Sequence, residues 1–143
     1  MRVFPDTNVL ASALGTRGLC ADVLRLVLAE HELVTGEVVL EELRTVLKGK
    51  FRVPTAAIED IEWFLRGYHV QGRPRELPEL KLADRNDLLV VGSALGAKAE
   101  ILITGDREIV DLKEKPQGLR IVSPREFWNL AARKEKSKPK AEG

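Results

Sequence analysis

Residues 101–106 read Ile101-Leu102-Ile103-Thr104-Gly105-Asp106, and this stretch decides the fold class. Three consecutive branched aliphatic residues predict a short strand that is buried in a core. The strand ends at a polar turn in which a glycine is followed by a carboxylate. The sequence therefore places Asp106 just beyond the end of a buried strand.

Strand patterns alternate with helix patterns on both sides of this stretch. The predicted strands cover residues 3–4, 32–35, 68–70, 101–103 and 120–122. Apolar residues at helical spacing predict helices over 19–28, after Gly36, from 54–55, from 84–87, over 108–112 and after Ser123-Pro124, and a proline-containing loop covers 72–80. This alternation predicts an α/β fold with a mostly parallel central β-sheet flanked by α-helices.

Length and charge predict one domain followed by a basic tail. The chain has 143 residues, which is about the length of one domain. Its net charge is +1. Residues 133–143 carry five Lys or Arg and two Glu, so this segment has a charge of +3 and the body a charge of −2. We expect a domain over 1–132 and a disordered tail over 133–143, which either contacts nucleic acid or serves solubility.

Several classes of protein are not expected from the composition. No apolar run approaches the roughly 18 residues of a membrane span, and the N-terminus lacks the pattern of a signal peptide. The single Cys20 cannot form an internal disulfide, which fits a reducing compartment. His31 and His69 have no neighbouring ligand types that would suggest zinc. The expected location is the cytoplasm, without a membrane partner.

Four acidic residues border the predicted apolar elements: Asp6, Glu42, Asp87 and Asp106. Because sites in parallel sheets lie at the carboxyl ends of strands, we expect all four at one edge of the sheet. Carboxylates that approach one another repel and raise one another's pKa unless a cation holds them. Oxygen ligands suit Mg²⁺ or Mn²⁺, and these ions promote reactions of phosphates.

Each acid taken alone also has an ordinary explanation. Asp6 and Asp106 could cap a turn or a helix. Asp84 and Asp87 could be favourable charges at a helix start, and Glu42 could be a surface residue. The order of the whole set is stronger evidence than any one member.

Polar and basic residues near the acids are candidates for supporting roles. Short side chains that could orient the carboxylates by hydrogen bonds are Thr7, Asn8 and Thr104. A basic cluster that follows the Glu42 helix could contact phosphates or simply suit the helix dipole, and its members are Lys48, Lys50 and Arg52.

These motifs resemble the PIN-domain ribonuclease family, particularly the VapC-like toxin components of bacterial and archaeal toxin–antitoxin pairs. The resemblance covers about residues 1–128, and its carriers are Asp6-Thr7-Asn8-Val9-Leu10, Glu42-Leu43, Asp84-Arg85-Asn86-Asp87 and Ile103-Thr104-Gly105-Asp106. It implies a PIN-like fold in which the four acids line one metal site, with Asn8 and Thr104 in support. Asp84 is a secondary candidate, because that position is often acidic in one subgroup. Arg85 departs from the proline often seen there.

The resemblance implies an Mg²⁺- or Mn²⁺-dependent endoribonuclease. Asp6, Asp87 and Asp106 would bind the ion, and Glu42 would complete the site directly or through water. Metal-activated water would leave a 5′-phosphate and a 3′-hydroxyl. The implied partners are an RNA substrate, an antitoxin protein and a second copy of the chain. A homodimer is also supported by the apolar helix over 58–65.

Two other functions stay open at the level of sequence. A haloacid-dehalogenase-like phosphatase would use Asp6 after its strand, but Asn8 stands where that family needs a second Asp. A non-catalytic PIN-like module for RNA binding or assembly would not need the four acids, all of which are present.

Overall fold

The computed structural model describes residues 1–137 and shows a parallel sheet with helices on it. The strands are Arg2–Pro5 (β1), Glu32–Gly36 (β2), His69–Gln71 (β3), Ile101–Ile103 (β4) and Arg120–Val122 (β5). The helices are Thr7–Gly15 (α1), Leu19–Glu30 (α2), Glu37–Gly49 (α3), Thr55–Leu65 (α4), Arg85–Gly96 (α5), Arg107–Val110 (α6) and Pro124–Ser137 (α7). The predicted α/β fold is confirmed.

The strand order is β3-β2-β1-β4-β5, and each neighbouring pair is parallel. β1 comes first in the chain but lies in the middle of the sheet. The chain builds outward from β1 to β2 and β3, and then crosses back to add β4 on the other side of β1. This reversal creates a switch point between β1 and β4, which is where open parallel sheets bind ligands at the carboxyl ends of their strands.

The core is aliphatic and extends over the sheet and the inner sides of the helices. Phe4 in β1 and Leu102 in β4 are completely buried. A Cβ on Gly36 would lie 3.2 Å from the Cβ of Ser93, so the glycine lets α5 pack closely against the end of β2. This close approach fixes α5, whose first turn carries Asp87, relative to the sheet.

Helix α4 presents aromatic side chains to solvent. Ile58 and Leu65, which the sequence suggested as part of a partner surface, are buried against the chain's own core. Trp63 and Phe64 lie on the outer side instead, with 82% and 42% of their surfaces exposed. The apolar stripe of α4 is therefore not free to pack on a partner, and the exposed apolar side chains of this helix are Trp63 and Phe64.

Two segments differ from the sequence-based expectations. α1 was not predicted, although Asp6 was recognised as a possible cap, and the helix begins directly after it. α7 continues to Ser137, so the boundary expected between residues 132 and 133 lies within this helix. Residues 138–143, the rest of the predicted tail, lie outside the described residues. Within residues 1–137, no helix is both long enough and apolar enough to cross a membrane.

Candidate active site

The turns that follow β1 and β4 lie side by side at the carboxyl edge of the sheet. The backbone N–H of Asp6 donates to the carbonyl oxygen of Ile103 at 2.9 Å, which continues the β1–β4 pairing into the turns. The hydroxyl of Thr104 donates to Oδ2 of Asp6 and accepts the backbone N–H of Asp106 at 3.0 Å. The hydroxyl group of Thr104 therefore joins Asp6 to the turn that carries Asp106.

Asp6 is a buried carboxyl group with 7% of its surface exposed. Burial is the largest cause of its raised pKa. The hydrogen bonds that its side chain accepts lower the pKa, and the charges of Asp106 and Glu42 raise it again. Asp6 therefore interacts electrostatically with two of the other predicted site residues.

Asp87 lies in the first turn of α5 and is partly buried. Burial and then the charge of Asp106 are the main causes that raise its pKa to about 6. The charges of Asp84 and Glu108, and a hydrogen bond with Asp106, raise it further. Asp87 and Asp106 are thus close neighbours, and Asp106 connects Asp87 to Asp6.

Glu42 reaches the cluster from α3. Oε2 of Glu42 accepts a hydrogen bond from Nδ2 of Asn86 at 2.5 Å, in a partly buried position. The adjacent Glu41 is exposed and pairs with Arg73 at 3.4 Å. Glu42, not Glu41, therefore faces the site. Sequence reasoning missed Asn86, for which the signal was its place between two acids in Asp84-Arg85-Asn86-Asp87.

Three of the acids are also helix caps. Oδ1 of Asp6 accepts the backbone N–H of Val9 at 2.9 Å and caps α1. Asp84 caps α5 and Asp106 caps α6, each by accepting a backbone N–H two residues ahead. A role as a helix cap and a role in a metal site are therefore compatible. Capping places each carboxylate at the start of a helix, and these helix starts meet at one edge of the sheet.

Two of the predicted supporting residues do not contact the acids. Asn8 is exposed, and among the described residues its side chain makes no hydrogen bond to a carboxylate. Thr7 is 3% exposed, but its Oγ1 has no hydrogen-bond partner in the described part of the chain. The direct support of Asp6 comes from Thr104 alone among these three.

An open cavity of about 490 Å³ lies over the acids of α5 and α6. Its lining residues are Ala83, Asp84, Asp87, Asp106, Arg107 and Glu108. A neighbouring groove of about 1030 Å³ shares Ala83, Arg107 and Glu108 with it and continues along residues 79–81 and 111–114. Asp84, Asp87 and Asp106 therefore face space that is open to a large ligand.

The predicted basic cluster does not line this cavity or the groove. Lys48 lies six residues beyond Glu42, which is roughly 9 Å farther along the helix axis. Lys50 lies 5.6 Å from the ring centre of Phe51, and Arg52 has a positive φ of 53° in the following turn. The cation that lines the cavity is Arg107, which sequence reasoning did not select.

The donor atoms of the acids suit a divalent metal ion. Oxygen atoms of several carboxylates are the ligands that Mg²⁺ and Mn²⁺ prefer. The raised pKa values of Asp6 and Asp87 are caused in part by neighbouring negative charges, which a cation would offset. Within the described part of the chain, no group of three or more His, Cys, Asp or Glu is placed so that it could hold a metal ion as it stands. The residues fit the ion by chemistry and would have to close around it.

The strand order and the acids at the switch point can now be compared with those of known protein families. A family model described as the PIN domain matches residues 2–108. The chain belongs to the PIN domain family, whose members are nucleases that generally use divalent metal ions. The family predicted from the motifs is thus confirmed, and it leaves the haloacid-dehalogenase-like alternative without support.

A solved structure shares the fold. It is a chain in the crystal structure of VapBC2 from Rickettsia felis bound to a DNA fragment from their promoter, with a TM-score of 0.63. The two chains are 17% identical, and the match covers 86% of this chain and 98% of that chain. A comparison with curated proteins finds no match.

Proposed function

We propose that this PIN domain protein is a metal-dependent endoribonuclease that hydrolyses RNA phosphodiester bonds. The observation that carries the proposal is that Thr104 joins Asp6 to the turn of Asp106 at the β1–β4 switch point, while Asp106 and Asp87 line one cavity. Glu42 joins them from a separate helix. Capping explains the places of Asp6 and Asp106 but not why two further carboxylates lie near them, and a bound cation would offset the repulsion among the four.

The residues that would hold Mg²⁺ or Mn²⁺ are Asp6, Asp87 and Asp106, with Glu42 binding directly or through water. When bound, the ion would lower the pKa of a water molecule and neutralise charge on the phosphate. The chain's own contribution is to fix its ligands. Thr104 orients one oxygen of Asp6, and the cap of α1 holds the other.

Water is the nucleophile in this proposal. The described residues that line the cavity include no serine, cysteine or histidine that could attack phosphorus. Attack by water breaks the bond between phosphorus and the 3′-oxygen, so the products carry a 5′-phosphate and a 3′-hydroxyl. Arg107, which lines the cavity, would contact the phosphates of the RNA backbone.

Cleavage of single-stranded RNA tests this function. The purified protein should cleave RNA with Mg²⁺ or Mn²⁺, stop in EDTA and leave 5′-phosphate ends. Asp6→Asn should remove the activity, and Asp22→Asn, at an exposed acid on α2, is the matched control that should retain it. Activity that continues in EDTA and yields 2′,3′-cyclic phosphate would refute the metal-dependent hydrolysis. RNA binding without cleavage under any of these conditions would favour the non-catalytic module.

The biological role that we propose is the toxin of a toxin–antitoxin pair in the cytoplasm. Support comes from the resemblance of the motifs to toxin components and from the fold shared with a chain of VapBC2. A partner protein could block the acidic site with Arg or Lys side chains that pair with carboxylates. Expression of the wild-type chain alone should slow growth, and expression of Asp6→Asn should not. Equal growth of the two strains would leave a nuclease without the toxin role.

We also propose that the chain forms a homodimer through the outer side of α4. Trp63 and Phe64 together expose an aromatic surface, and Phe64 packs edge-on against Tyr68 at 5.5 Å between ring centres. Covering such a surface in a partner is favourable. Light scattering should give twice the chain mass at micromolar concentration, and Trp63→Ser should lower it to the monomer mass. A wild-type monomer would contradict the proposal.

A further inference from the structure

We infer that Asn86 is a positioning residue that holds the Glu42 carboxylate for metal binding. This inference deepens the proposed function and rests on it. Asn86 does not belong to the acidic set and would not itself be a metal ligand. It would act through Glu42, by a contact that joins α5 to α3.

The contact is direct and has a defined polarity. Nδ2 of Asn86 lies 2.5 Å from Oε2 of Glu42, 44 residues away in the sequence. A carboxylate only accepts hydrogen bonds, so the amide must present its NH₂ group to Glu42. The other carboxylate oxygen of Glu42 accepts no hydrogen bond from any described residue, so it is available to a cation or to water bound to one.

The residue type at position 86 suits this task. An amide donates without adding charge, whereas an aspartate at this place would put a further negative charge beside Glu42. A flexible glutamate that binds a metal must lose rotamer freedom, which opposes binding. The hydrogen bond from Asn86 restricts Glu42 before any ion arrives, so less freedom is left to lose.

The backbone of Asn86 is itself held in place by the side chain of Asp84. Its N–H donates to Oδ1 of Asp84 at 2.7 Å, which is the cap of α5. The next residue is Asp87, so the same helical turn supplies one predicted ligand and the support of another. The cap, the amide and Glu42 form a continuous chain of hydrogen bonds from the start of α5 to the side of α3.

Removing such a support weakens metal binding more than it disturbs the fold. Loss of a hydrogen-bond partner of a metal ligand typically costs 10- to 100-fold in metal affinity or activity. Asn86 is only partly buried, so Asn86→Ala leaves no enclosed cavity. We therefore expect Asn86→Ala to fold normally and to need about tenfold more Mg²⁺ than the wild type.

The test measures metal binding apart from activity. The unfolding temperature of the full chain is followed against Mg²⁺ and, separately, Mn²⁺ concentration, starting from EDTA. Asn86→Ala should unfold like the wild type in EDTA, and its metal midpoint should rise about tenfold. Asn86→Ser, which keeps a polar but shorter side chain, should behave in the same way. Asn129→Ala removes an exposed amide on α7 and should leave the midpoint unchanged.

A double-mutant cycle then asks whether Asn86 acts through Glu42. Glu42→Gln alone should also raise the metal midpoint. If the inference holds, adding Asn86→Ala to Glu42→Gln should change the midpoint by less than about twofold, because the two residues belong to one interaction. An undiminished tenfold effect in the Glu42→Gln background would overturn the inference.

RNA cleavage provides the second readout. Asn86→Ala should lose cleavage at low Mg²⁺ and regain most of it at saturating Mn²⁺, since the ligands themselves remain. A wild-type metal midpoint in Asn86→Ala, with the wild type clearly responsive to metal, would overturn the positioning role and leave the proposed function intact. A wild-type chain that neither binds metal nor cleaves RNA would overturn the proposed function together with the inference.

Discussion

Replacing Asp87 by asparagine should stabilise the protein in the absence of metal while removing its response to metal. The burial of Asp87 and then the negative charge of Asp106 make its ionisation costly, which raises its pKa from 3.8 to about 6. Asparagine has nearly the same shape, cannot ionise and can still donate a hydrogen bond to Asp106. The substitution therefore removes the cost of the charge and keeps the contact.

The size of the effect follows from the pKa. A displacement from 3.8 to about 6 corresponds to roughly 3 kcal/mol for a fully effective interaction. Asp87 is only partly buried, so screening by solvent reduces this to about 1 kcal/mol. Loss of the favourable charge at the start of α5 subtracts about 0.5 kcal/mol. We expect Asp87→Asn to raise the free energy of unfolding at pH 7.5 in EDTA by about 0.5–1 kcal/mol.

The stability that Asp87→Asn gains over the wild type should increase with pH. The folded chain binds the Asp87 proton more tightly than the unfolded chain, so the wild type loses stability as pH rises from about 4 to about 6. Asp87→Asn cannot show this loss, and the two proteins should be almost equally stable near pH 4. Asp6, whose pKa is also raised, contributes a slope of the same sign to both proteins.

Urea unfolding in EDTA at pH 4.5, 6 and 7.5 measures this difference, and a second series with metal completes it. At a metal concentration of 100 times Kd, the wild type should gain about 2.7 kcal/mol and Asp87→Asn should gain much less. A variant that is less stable than the wild type by the same amount at every pH would refute the electrostatic reasoning. It would show that Asp87 serves α5 only as a favourable helix-end charge.

Three further predictions concern the neighbours of this acid and the tail. Glu42→Gln should lower RNA cleavage at least tenfold and Glu41→Gln by less than about twofold, and equal losses would mean that the wrong side of α3 was assigned to the site. Thr104→Val should lower the free energy of unfolding by about 2 kcal/mol, measured in urea, because it removes a donor to a buried carboxylate; a change below about 0.5 kcal/mol would show that this bond is weak. Deleting residues 134–143 should weaken RNA binding several-fold at low salt in filter binding, and loss of single-turnover cleavage would place the tail in the active site.

The sequence predicted the elements whose signals are local. A buried strand is a short apolar run, and Asp6 and Asp106 lie in the turns that follow such runs, so both the strands and the acids near their ends could be recognised. α1 escaped recognition because it is only nine residues long and buries three consecutive residues, Val9, Leu10 and Ala11, which do not form a helical stripe. The structure shows that its clearest signal was the cap, Asp6.

The contacts that complete the site depend on distance in space rather than in sequence. Asn86 meets Glu42 because α5 packs beside α3, and no property of residues 84–87 specifies that meeting. Lys48 shows the opposite case. It is near Glu42 in the sequence, but the rise of the helix separates the two residues in space. Trp63 could be assigned to a helix but not to its outer side, since this depends on how α4 lies on the core.

The central position of β1 has a consequence for the order in which the chain is made. β1 can pair with β2 once both strands have been made, but it has a neighbour on both sides only after β4 has been made. A nascent chain that ends before β4 contains Asp6, Glu42 and Asp87 without the hydroxyl of Thr104 or the carboxylate of Asp106. Under the proposed function, such a chain lacks one of the four acids and should not hydrolyse RNA. The strand order would therefore delay the proposed activity until β4 has joined the sheet.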